Sequence, residues 1–192
     1  MVALAQLWRD AFMEQHEGSM KNVSIKQFTQ TIESPLGPVR IDACADFVRG
    51  IWFIGQKWER SLNSDLERQS NPIIEQTKLQ LTQYFDLNRT IFDLPLGPQG
   101  TEFQESVWRE INRISFGQSN TYGAIAQNLA KPKASRAVGA ATGRNPISIV
   151  IPCHRVLGVI QIGGHQALTG YAGGLDRKRW LLAHEQTANR LL

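Results

Sequence analysis

The segment "SNTYGAIAQNLAKPKASRAVGAATG", residues 119–143, decides the architecture that we predict for the C-terminal half of this chain. Two stretches of helical composition flank the short turn "KPK", which predicts a helix-turn-helix. The second helix of such a motif normally reads base edges in the major groove with Arg, Asn or Gln side chains. Here that helix consists mainly of alanine, glycine, serine and threonine, and Arg136 is its single long side chain.

The small side chains of this second helix have two interpretations. They allow tight packing against another helix, or they make the helix thin enough to enter a DNA groove through shape and phosphate contacts, without reading sequence. In the second interpretation Arg136 is a probe that enters the base stack. The residues that then face the DNA are Ser135, Ala137 and Gly139.

The distribution of charge favours a polyanionic partner. Residues 1–100 contain 10 Lys/Arg and 12 Asp/Glu, whereas residues 101–192 contain 11 and 5. Residues 111–175 include six cations and no carboxylate. A basic half can serve solubility alone, but a stretch of this length without an acid is more typical of nucleic-acid binding. No run is long and apolar enough to span a membrane, and the N-terminus lacks the basic flank of a signal peptide.

The N-terminal half is predicted to be a small sheet with one helix. The segments "IKQFTQTIE", "PVRIDAC" and "FVRGIWFIG" predict three strands. "NPIIEQTKLQLTQYF" predicts a helix with Asn71 as its N-cap and Pro72 at its first position. "LPLGPQG", residues 94–100, coincides with the change in charge and predicts a domain boundary. We therefore expect an α/β (α+β) fold with an N-terminal extension (1–19), an N-terminal domain (20–95) and a C-terminal domain (101–192).

A candidate nucleophile lies in "NPISIVIPCHRVLG", residues 145–158, where a strand-like β-branched run ends before Cys153 and His154. Cysteine becomes a good nucleophile where cations, a helix dipole or a histidine base favour its thiolate. A histidine base needs a carboxylate that fixes its tautomer, and Glu185, at the end of the last predicted helix, is our choice. The other available carboxylates are Asp176, Glu102, Glu105 and Glu110. The alternative is a buried structural cysteine beside a solvated His-Arg pair.

Cysteine usage limits the classes of site. Cys44 and Cys153 are the two cysteines of the chain, which argues against a disulfide framework and against a four-cysteine metal site. Cys44 lies in a predicted strand, and we interpret it as a buried thiol. We expect no metal, no cofactor and a reducing, cytoplasmic location.

Taken together, the motifs resemble one family. "TYGAIAQ", "SRAVGAATGRNPISIVIPCHRVLG", "TGYAGGL" and "WLLAHE" occur in the order typical of the methylated-DNA–protein-cysteine methyltransferases, also called 6-O-methylguanine-DNA methyltransferases. The resemblance covers nearly all of residues 101–185 and, more loosely, residues 25–100, and it is nearest to the bacterial constitutive, single-module branch. It implies a ribonuclease-H-like N-terminal domain, with a small antiparallel sheet and a helix, and a winged helix-turn-helix C-terminal domain. We expect a monomer that docks in the minor groove of double-stranded DNA with little sequence specificity.

The resemblance also implies a reaction and a role for each matched residue. A damaged guanine is flipped out of DNA, and its alkyl group passes irreversibly from O6 to Cys153; O4 of alkylated thymine is a second expected substrate. His154 and Glu185 form, with a water, the relay that activates the thiol. The implied supporting residues are Asn145, which braces the turn beside the site; Arg136, which fills the gap left by the flipped base; Tyr122, which helps to rotate the nucleotide and to protonate the leaving guanine; and Tyr171, Ala172 and the backbone of Val156 and Cys153, which line the base pocket.

One segment departs from the family pattern. "VIQIGGHQAL", residues 159–168, is several residues longer than the short turn of the bacterial relatives. We expect a loop without helix or strand at the mouth of the alkyl pocket, where it tunes which adducts enter. Two other functions stay open: a non-catalytic module that binds lesions, which the presence of Cys153 disfavours, and a Cys-His-Glu hydrolase, which the basic helix pair disfavours.

Overall fold

The computed structural model describes residues 27–59, 66–67, 69–158, 161–162, 165–166, 168 and 170–191. The predicted N-terminal extension, residues 1–19, lies outside this part of the chain.

A four-stranded sheet forms the centre of the N-terminal half. Strands β1 (Gln27–Ile32), β2 (Val39–Ala43) and β3 (Val48–Phe53) pair antiparallel in the order β3–β2–β1. The three predicted strands are confirmed. A two-residue strand, β4 (Leu66–Glu67), pairs in parallel with β1, so the sheet is not purely antiparallel. The sequence did not predict β4 because two residues are too few to show a periodic pattern.

Helix α1 (Pro72–Phe85) packs on this sheet, as predicted. It begins where the Asn71 side chain accepts a 2.8 Å hydrogen bond from the Ile74 amide, with Pro72 at the first position. Its buried face includes Ile74, Leu81 and Tyr84, which recur at helical spacing. Burial of such side chains contributes about 1.5–3 kcal/mol each, which fixes the helix on the sheet.

The C-terminal half begins with helix α2 (Glu102–Asn112), which carries a capping box. Thr101 accepts from the Gln104 amide, and the Gln104 side chain accepts from the Thr101 amide. Trp108 is buried and donates a 2.9 Å hydrogen bond from Nε1 to the carbonyl of Ala141. Helix α2 therefore supports the segment predicted as the DNA-facing helix.

The helix-turn-helix is confirmed. Helix α3 (Tyr122–Asn128) is followed by a 3₁₀ turn (Pro132–Ala134) and by helix α4 (Ser135–Gly143). Val138, Ala141 and Thr142 are buried, and α4 contacts α2 and α3. The opposite face of α4 is exposed at Arg136, Ala137 and Ala140. One side of the helix thus packs tightly, while the other stays thin and accessible.

The β-branched run 147–151 is not a strand, contrary to the sequence prediction. The Asn145 side chain accepts from the Ile147 amide at 3.0 Å and donates to the Ile151 carbonyl at 2.8 Å. The Ile151 amide also bonds the Ile147 carbonyl at 3.1 Å, and Ile149 has a positive φ of 72°. Asn145 supplies bonds that a neighbouring strand would otherwise provide, so the run curls into a buried turn, which we call the active-site turn (residues 145–152).

Short elements follow the active-site turn. A 3₁₀ helix (Cys153–Arg155) leads into β6 (Val156–Leu157), which pairs in parallel with β5 (Asn120–Thr121). Strands β7 (Gln161–Ile162) and β8 (His165–Gln166) form an antiparallel hairpin, so the expectation of a loop without strands at 159–168 is wrong. The two glycines between these strands are a hairpin signal. Helix α5 (Leu175–Leu191) follows the hairpin.

Strand β3 connects the two halves. Its Val48 amide donates to the Pro95 carbonyl at 2.8 Å, within the predicted boundary segment. Farther along, the Ile51 amide donates to the Pro146 carbonyl at 2.9 Å, and the Ser148 amide donates to the Ile51 carbonyl at 2.8 Å. The N-terminal sheet therefore holds the active-site turn directly by backbone hydrogen bonds.

Candidate active site and DNA-facing helix

The thiol of Cys153 lies at the start of the 3₁₀ helix and is only 4% exposed. Nδ2 of Asn145 donates to its Sγ at 3.1 Å, in addition to the Ile151 carbonyl. The same amide group thus shapes the active-site turn and touches the sulfur. A hydrogen bond donated to sulfur favours the thiolate over the thiol.

The carboxylate of Glu185, on α5, is buried and accepts hydrogen bonds from four residues. Nε2 of His154 lies 2.7 Å from Oε1, and the Arg155 guanidinium binds both oxygens at 2.9 Å. The Tyr84 hydroxyl and the Gly117 amide donate to it at 2.9 and 3.0 Å. The structure therefore brings together His154 and Glu185, the pair chosen from the sequence, and adds Arg155, which sequence reasoning left without a role.

The protonation states of this pair follow from its surroundings. Burial opposes ionisation of Glu185, but the hydrogen bonds and charges of His154 and Arg155 hold its pKa well below the usual range. Burial lowers the pKa of His154 despite the opposing hydrogen bond with Glu185. At neutral pH the carboxylate is therefore charged and the imidazole neutral. Because Nε2 donates to Glu185, Nδ1 carries the lone pair, and this buried nitrogen has no hydrogen-bond partner among the described residues.

The thiol itself rests in its protonated form. Burial raises the pKa of Cys153, and the Asn145 hydrogen bond and the charge of Lys178 offset this only in part. Lys178 is fully buried on α5 and donates from Nζ to the Val156 carbonyl at 2.6 Å; burial lowers its pKa to about 8. Sequence reasoning missed Lys178, although it stands two helical turns before Glu185 and so shares its helix face.

Tyr122, the first residue of α3, lies between α4 and the segment that precedes Tyr171. A Cβ added at Gly139 would stand 3.8 Å from its ring atoms, so the ring lies against the backbone of α4. Its hydroxyl is 3.5 Å from the Gly170 carbonyl. Arg136, on the same helix α4, is exposed.

The predicted base pocket has a buried phenol. The Tyr171 hydroxyl is buried and forms no hydrogen bond with the described part of the chain. Burial raises its pKa well above the usual value, so it stays a hydroxyl and can donate to a ligand. The Ala172 carbonyl accepts from the Lys57 amide at 3.0 Å. Val156 is buried, and its carbonyl is bonded to Lys178.

Residues 170–174, which include Tyr171 and Ala172 and which we call the pocket segment, are connected to the N-terminal half by Arg177. It donates from Nε to the Leu36 carbonyl at 3.0 Å and from Nη1 to the Gly173 carbonyl at 3.1 Å. Its guanidinium lies 4.7 Å from the centroid of the Phe53 ring. Sequence reasoning missed Arg177, and no local pattern could have revealed it, because Leu36 is 141 residues away.

Among the residues that the structure describes, no three His, Cys, Asp or Glu side chains are grouped as metal ligands. None of the helices in that part of the chain has the length and apolar character needed to cross a bilayer.

Comparison with known proteins identifies two matching family models. The DNA binding domain of 6-O-methylguanine DNA methyltransferase matches residues 102–187, and the ribonuclease-like domain of the same family matches residues 28–98. The methylated-DNA–protein-cysteine methyltransferase of Methanosarcina acetivorans is 44% identical over 154 residues, which are 80% of this chain and 94% of that protein. The enzyme of the same name from Haemophilus influenzae is 39% identical over 155 residues, 80% of this chain and 83% of that protein.

A solved structure agrees with these matches. The crystal structure of Mycobacterium tuberculosis OGT in complex with DNA superposes with a TM-score of 0.75 at 36% identity. The match covers 84% of this chain and 94% of that one. Both halves of the fold therefore have a counterpart in a protein crystallised on DNA.

Proposed function

This chain belongs to the 6-O-methylguanine DNA methyltransferase family, and from that premise we propose that it repairs DNA by direct reversal. It transfers a methyl or larger alkyl group from O6 of guanine to its own Cys153. The observation that carries this proposal is the position of that cysteine. A buried thiol follows a turn braced by Asn145, directly before a histidine that is bonded to a buried glutamate.

His154 is the base of the proposed reaction. Its Nδ1 is the free acceptor of a neutral imidazole, and a bridging water would carry the Cys153 proton to it. The carboxylate of Glu185 then stabilises the imidazolium that forms, as in other nucleophile–histidine–carboxylate sites. The positive charge of Lys178 attracts the thiolate and so partly offsets the rise in the pKa of Cys153 that burial causes.

The alkyl transfer is a substitution at carbon. The thiolate electron pair forms the S–C bond while the C–O6 bond breaks, and the electron pair of that bond stays on the purine oxygen. Tyr122 supplies a hydroxyl proton toward that oxygen without competing as a nucleophile. Overall, the hydrogen of the thiol replaces the alkyl group of the base. The product thioether resists hydrolysis, so each protein molecule acts once.

The damaged base must leave the duplex before this reaction, because a buried thiol cannot reach O6 inside the base stack. Base extrusion costs a few kcal/mol, least for a poorly paired lesion. Helix α4 presents its thin face to the minor groove, with Ser135, Ala137 and Gly139 at the DNA and Arg136 in the gap left by the base. Tyr171 and Ala172 line the pocket that receives the base.

Further properties follow from this chemistry. We infer that alkylated O4 of thymine is a second substrate, since it presents the same alkyl-oxygen group. We propose that the protein works in a reducing, cytoplasmic environment, because oxidation of Cys153 would remove the acceptor. We also propose that it acts as a monomer. The N-terminal (20–95) and C-terminal (101–192) domains act together, because β3 bonds the active-site turn.

The direct test is the intact mass of the protein after incubation with duplex DNA that contains 6-O-methylguanine. We expect a gain of one methyl group, mapped to Cys153 by peptide analysis, and no turnover beyond one methyl per protein. Binding without a change in mass would support a non-catalytic lesion-binding module instead. Multiple turnovers with excess substrate would support a hydrolase.

A further inference from the structure

An exposed tryptophan stands beside the proposed base pocket. Trp58 is 54% exposed, whereas Trp52 and Trp108 are buried. Its φ of 67° lies in the left-handed region, which is a clear outlier for a bulky side chain. Such strain persists only where the surrounding structure enforces it, and it is concentrated at functional sites.

Hydrogen bonds on both sides enforce this backbone. The Gln56 amide donates to the Phe53 carbonyl at 3.0 Å, and the Glu59 amide donates to the Gln56 carbonyl at 3.2 Å. Between them, the Lys57 amide donates to the Ala172 carbonyl in the pocket segment. The loop therefore holds the Trp58 indole in solvent next to the base pocket.

Two cations flank the indole. Nζ of Lys57 lies 5.1 Å from the ring centroid, and the Arg144 guanidinium carbon lies 4.9 Å from it. Neither cation forms a salt bridge with any residue that the structure describes. Glu59, the acid of this loop, is already bonded to Arg40 at 2.9 Å. Lys57, Trp58 and Arg144, which we call the Trp58 patch, thus present uncompensated positive charge around an aromatic face.

The patch continues the exposed face of α4. Arg136, Ala140 and Arg144 are exposed and recur at intervals of four residues, which places them along one side of the helix and of the turn that ends it. Arg144 directly follows α4. The patch therefore lies at the C-terminal end of α4, the DNA-facing helix, and next to the point where the Lys57 amide bonds the pocket segment.

We propose that the Trp58 patch is a second DNA contact, made in part by the N-terminal domain. Lys57 and Arg144 bind phosphates of the strand beside the flipped nucleotide, and the indole of Trp58 packs on a deoxyribose or an unstacked base. Aromatic faces and cations form such sequence-independent nucleic-acid sites. The inference rests on the proposed function and adds a contact outside the helix-turn-helix.

The first experiment measures binding in a Cys153→Ala background, so that no transfer occurs. The affinity for a methylated duplex is measured by fluorescence anisotropy across a range of salt concentrations. Lys57→Ala and Arg144→Ala should each reduce the slope of log affinity against log salt by about 0.9. Trp58→Asn, which tolerates the left-handed backbone, should weaken binding about fivefold to tenfold with little change in slope. Lys78→Ala, which removes a charge from α1, is the matched control and should leave the slope unchanged.

The second experiment measures transfer in proteins that retain Cys153. In the patch variants, the rate with methylated duplex should fall more than the rate with free 6-O-methylguanine base. If the wild-type protein gains methyl from the duplex while all three variants keep its affinity and salt slope, the patch inference is overturned. If the wild-type protein gains no methyl at all, the proposed function fails instead. Should Trp58→Asn not fold, Lys57→Ala and Arg144→Ala decide the question.

Discussion

Nε2 of His154 and Oε1 of Glu185 lie 2.7 Å apart, although 31 residues separate them in the chain. Both side chains are buried. This contact fixes the imidazole tautomer, so that the basic nitrogen is Nδ1. The bidentate Arg155 keeps the carboxylate ionised, so the relay that we propose would be in place before substrate arrives.

Glu185→Gln should slow transfer about 100-fold, because an amide does not stabilise the imidazolium of His154. It should also lower the free energy of unfolding by about 3–5 kcal/mol, since the buried charge of Arg155 loses its partner. Single-turnover rates and urea denaturation measure the two effects. Tyr84→Phe, which removes one hydrogen bond to Glu185 but keeps its charge, is the control and should slow transfer less than about tenfold. A wild-type rate in Glu185→Gln would show that another group stabilises the thiolate.

The rate of transfer should fall with acidity only below the ordinary histidine pKa of about 6.5, because burial lowers the pKa of His154. The unfolded chain then binds a proton at His154 before the folded protein does, so the free energy of unfolding should also decrease as the pH falls below about 6.5. Glu185, whose pKa is depressed in the folded protein, causes a second decrease in the free energy of unfolding as the pH falls below about 4.3. Transfer rates with free base and urea denaturation midpoints, both measured from pH 4 to pH 8 in steps of about one unit, test this. A rate that already halves at neutral pH would contradict it.

Cys153→Ala should abolish transfer while leaving the affinity for duplex nearly intact, because the thiol is buried and the residues that we expect at the DNA are on α4. Arg136→Ala should slow repair of duplex more than reaction with free base, because the role that we propose for Arg136 is in base extrusion. Arg89→Ala, which removes a charge from the N-terminal half, is the control for Arg136. Equal loss with duplex and free base in Arg136→Ala would show that the arginine does not serve extrusion.

Arg177→Ala should slow transfer from both free base and duplex by about tenfold. Most of this effect should be a higher substrate concentration at half-maximal rate. Its bonds to the Gly173 and Leu36 carbonyls tie the pocket segment to the N-terminal half, and each contributes about 1.5–3 kcal/mol because the donor is charged. Arg179→Ala is the matched control: this exposed residue of the same helix bonds Asp176 and should leave transfer unchanged. Unaltered half-saturation in Arg177→Ala would exclude a role in holding the pocket.

Replacing residues 159–165 by an Asn-Gly turn should keep methyl transfer within a few-fold, because none of the residues to which we assign a role in transfer lies in this segment. The ratio of benzyl to methyl repair should change, since β7 and β8 immediately precede the pocket segment. Rates with the two adducts in the same duplex sequence measure it. Loss of methyl transfer in a protein that still melts cooperatively would make the hairpin part of the catalytic apparatus.

The parts that the sequence predicted well are those with local or compositional signals. Strands β1 to β3 alternate or run apolar between turn residues, and α1 carries its own cap at Asn71. Glu185 could be chosen because residues 111–175 contain no carboxylate. Because a histidine base needs a carboxylate and few carboxylates lie near Cys153 in the sequence, few residues could be the partner of His154.

The parts that the sequence did not predict depend on contacts between distant segments. The run 147–151 has strand composition, but one side chain, Asn145, satisfies its backbone and curls it. Arg177 reaches the Leu36 carbonyl, and the Lys57 amide reaches the Ala172 carbonyl, only because the two halves of the fold pack together. Propensity describes what a segment favours alone, and here the tertiary environment overrides it.

The backbone hydrogen bonds between β3 and the active-site turn also bear on the order in which parts of the protein fold. During synthesis Ile51 leaves the ribosome long before Ser148, and contacts so distant in sequence form slowly. We therefore expect the nascent chain to carry an open strand edge and an uncovered Cys153 until these contacts form. In that interval the thiol is open to oxidants, from which burial later shields it. The yield of active protein on refolding should consequently depend on reductant. The number of methyl groups accepted per protein molecule, more than the recovered helix signal, measures how much of the protein has completed folding.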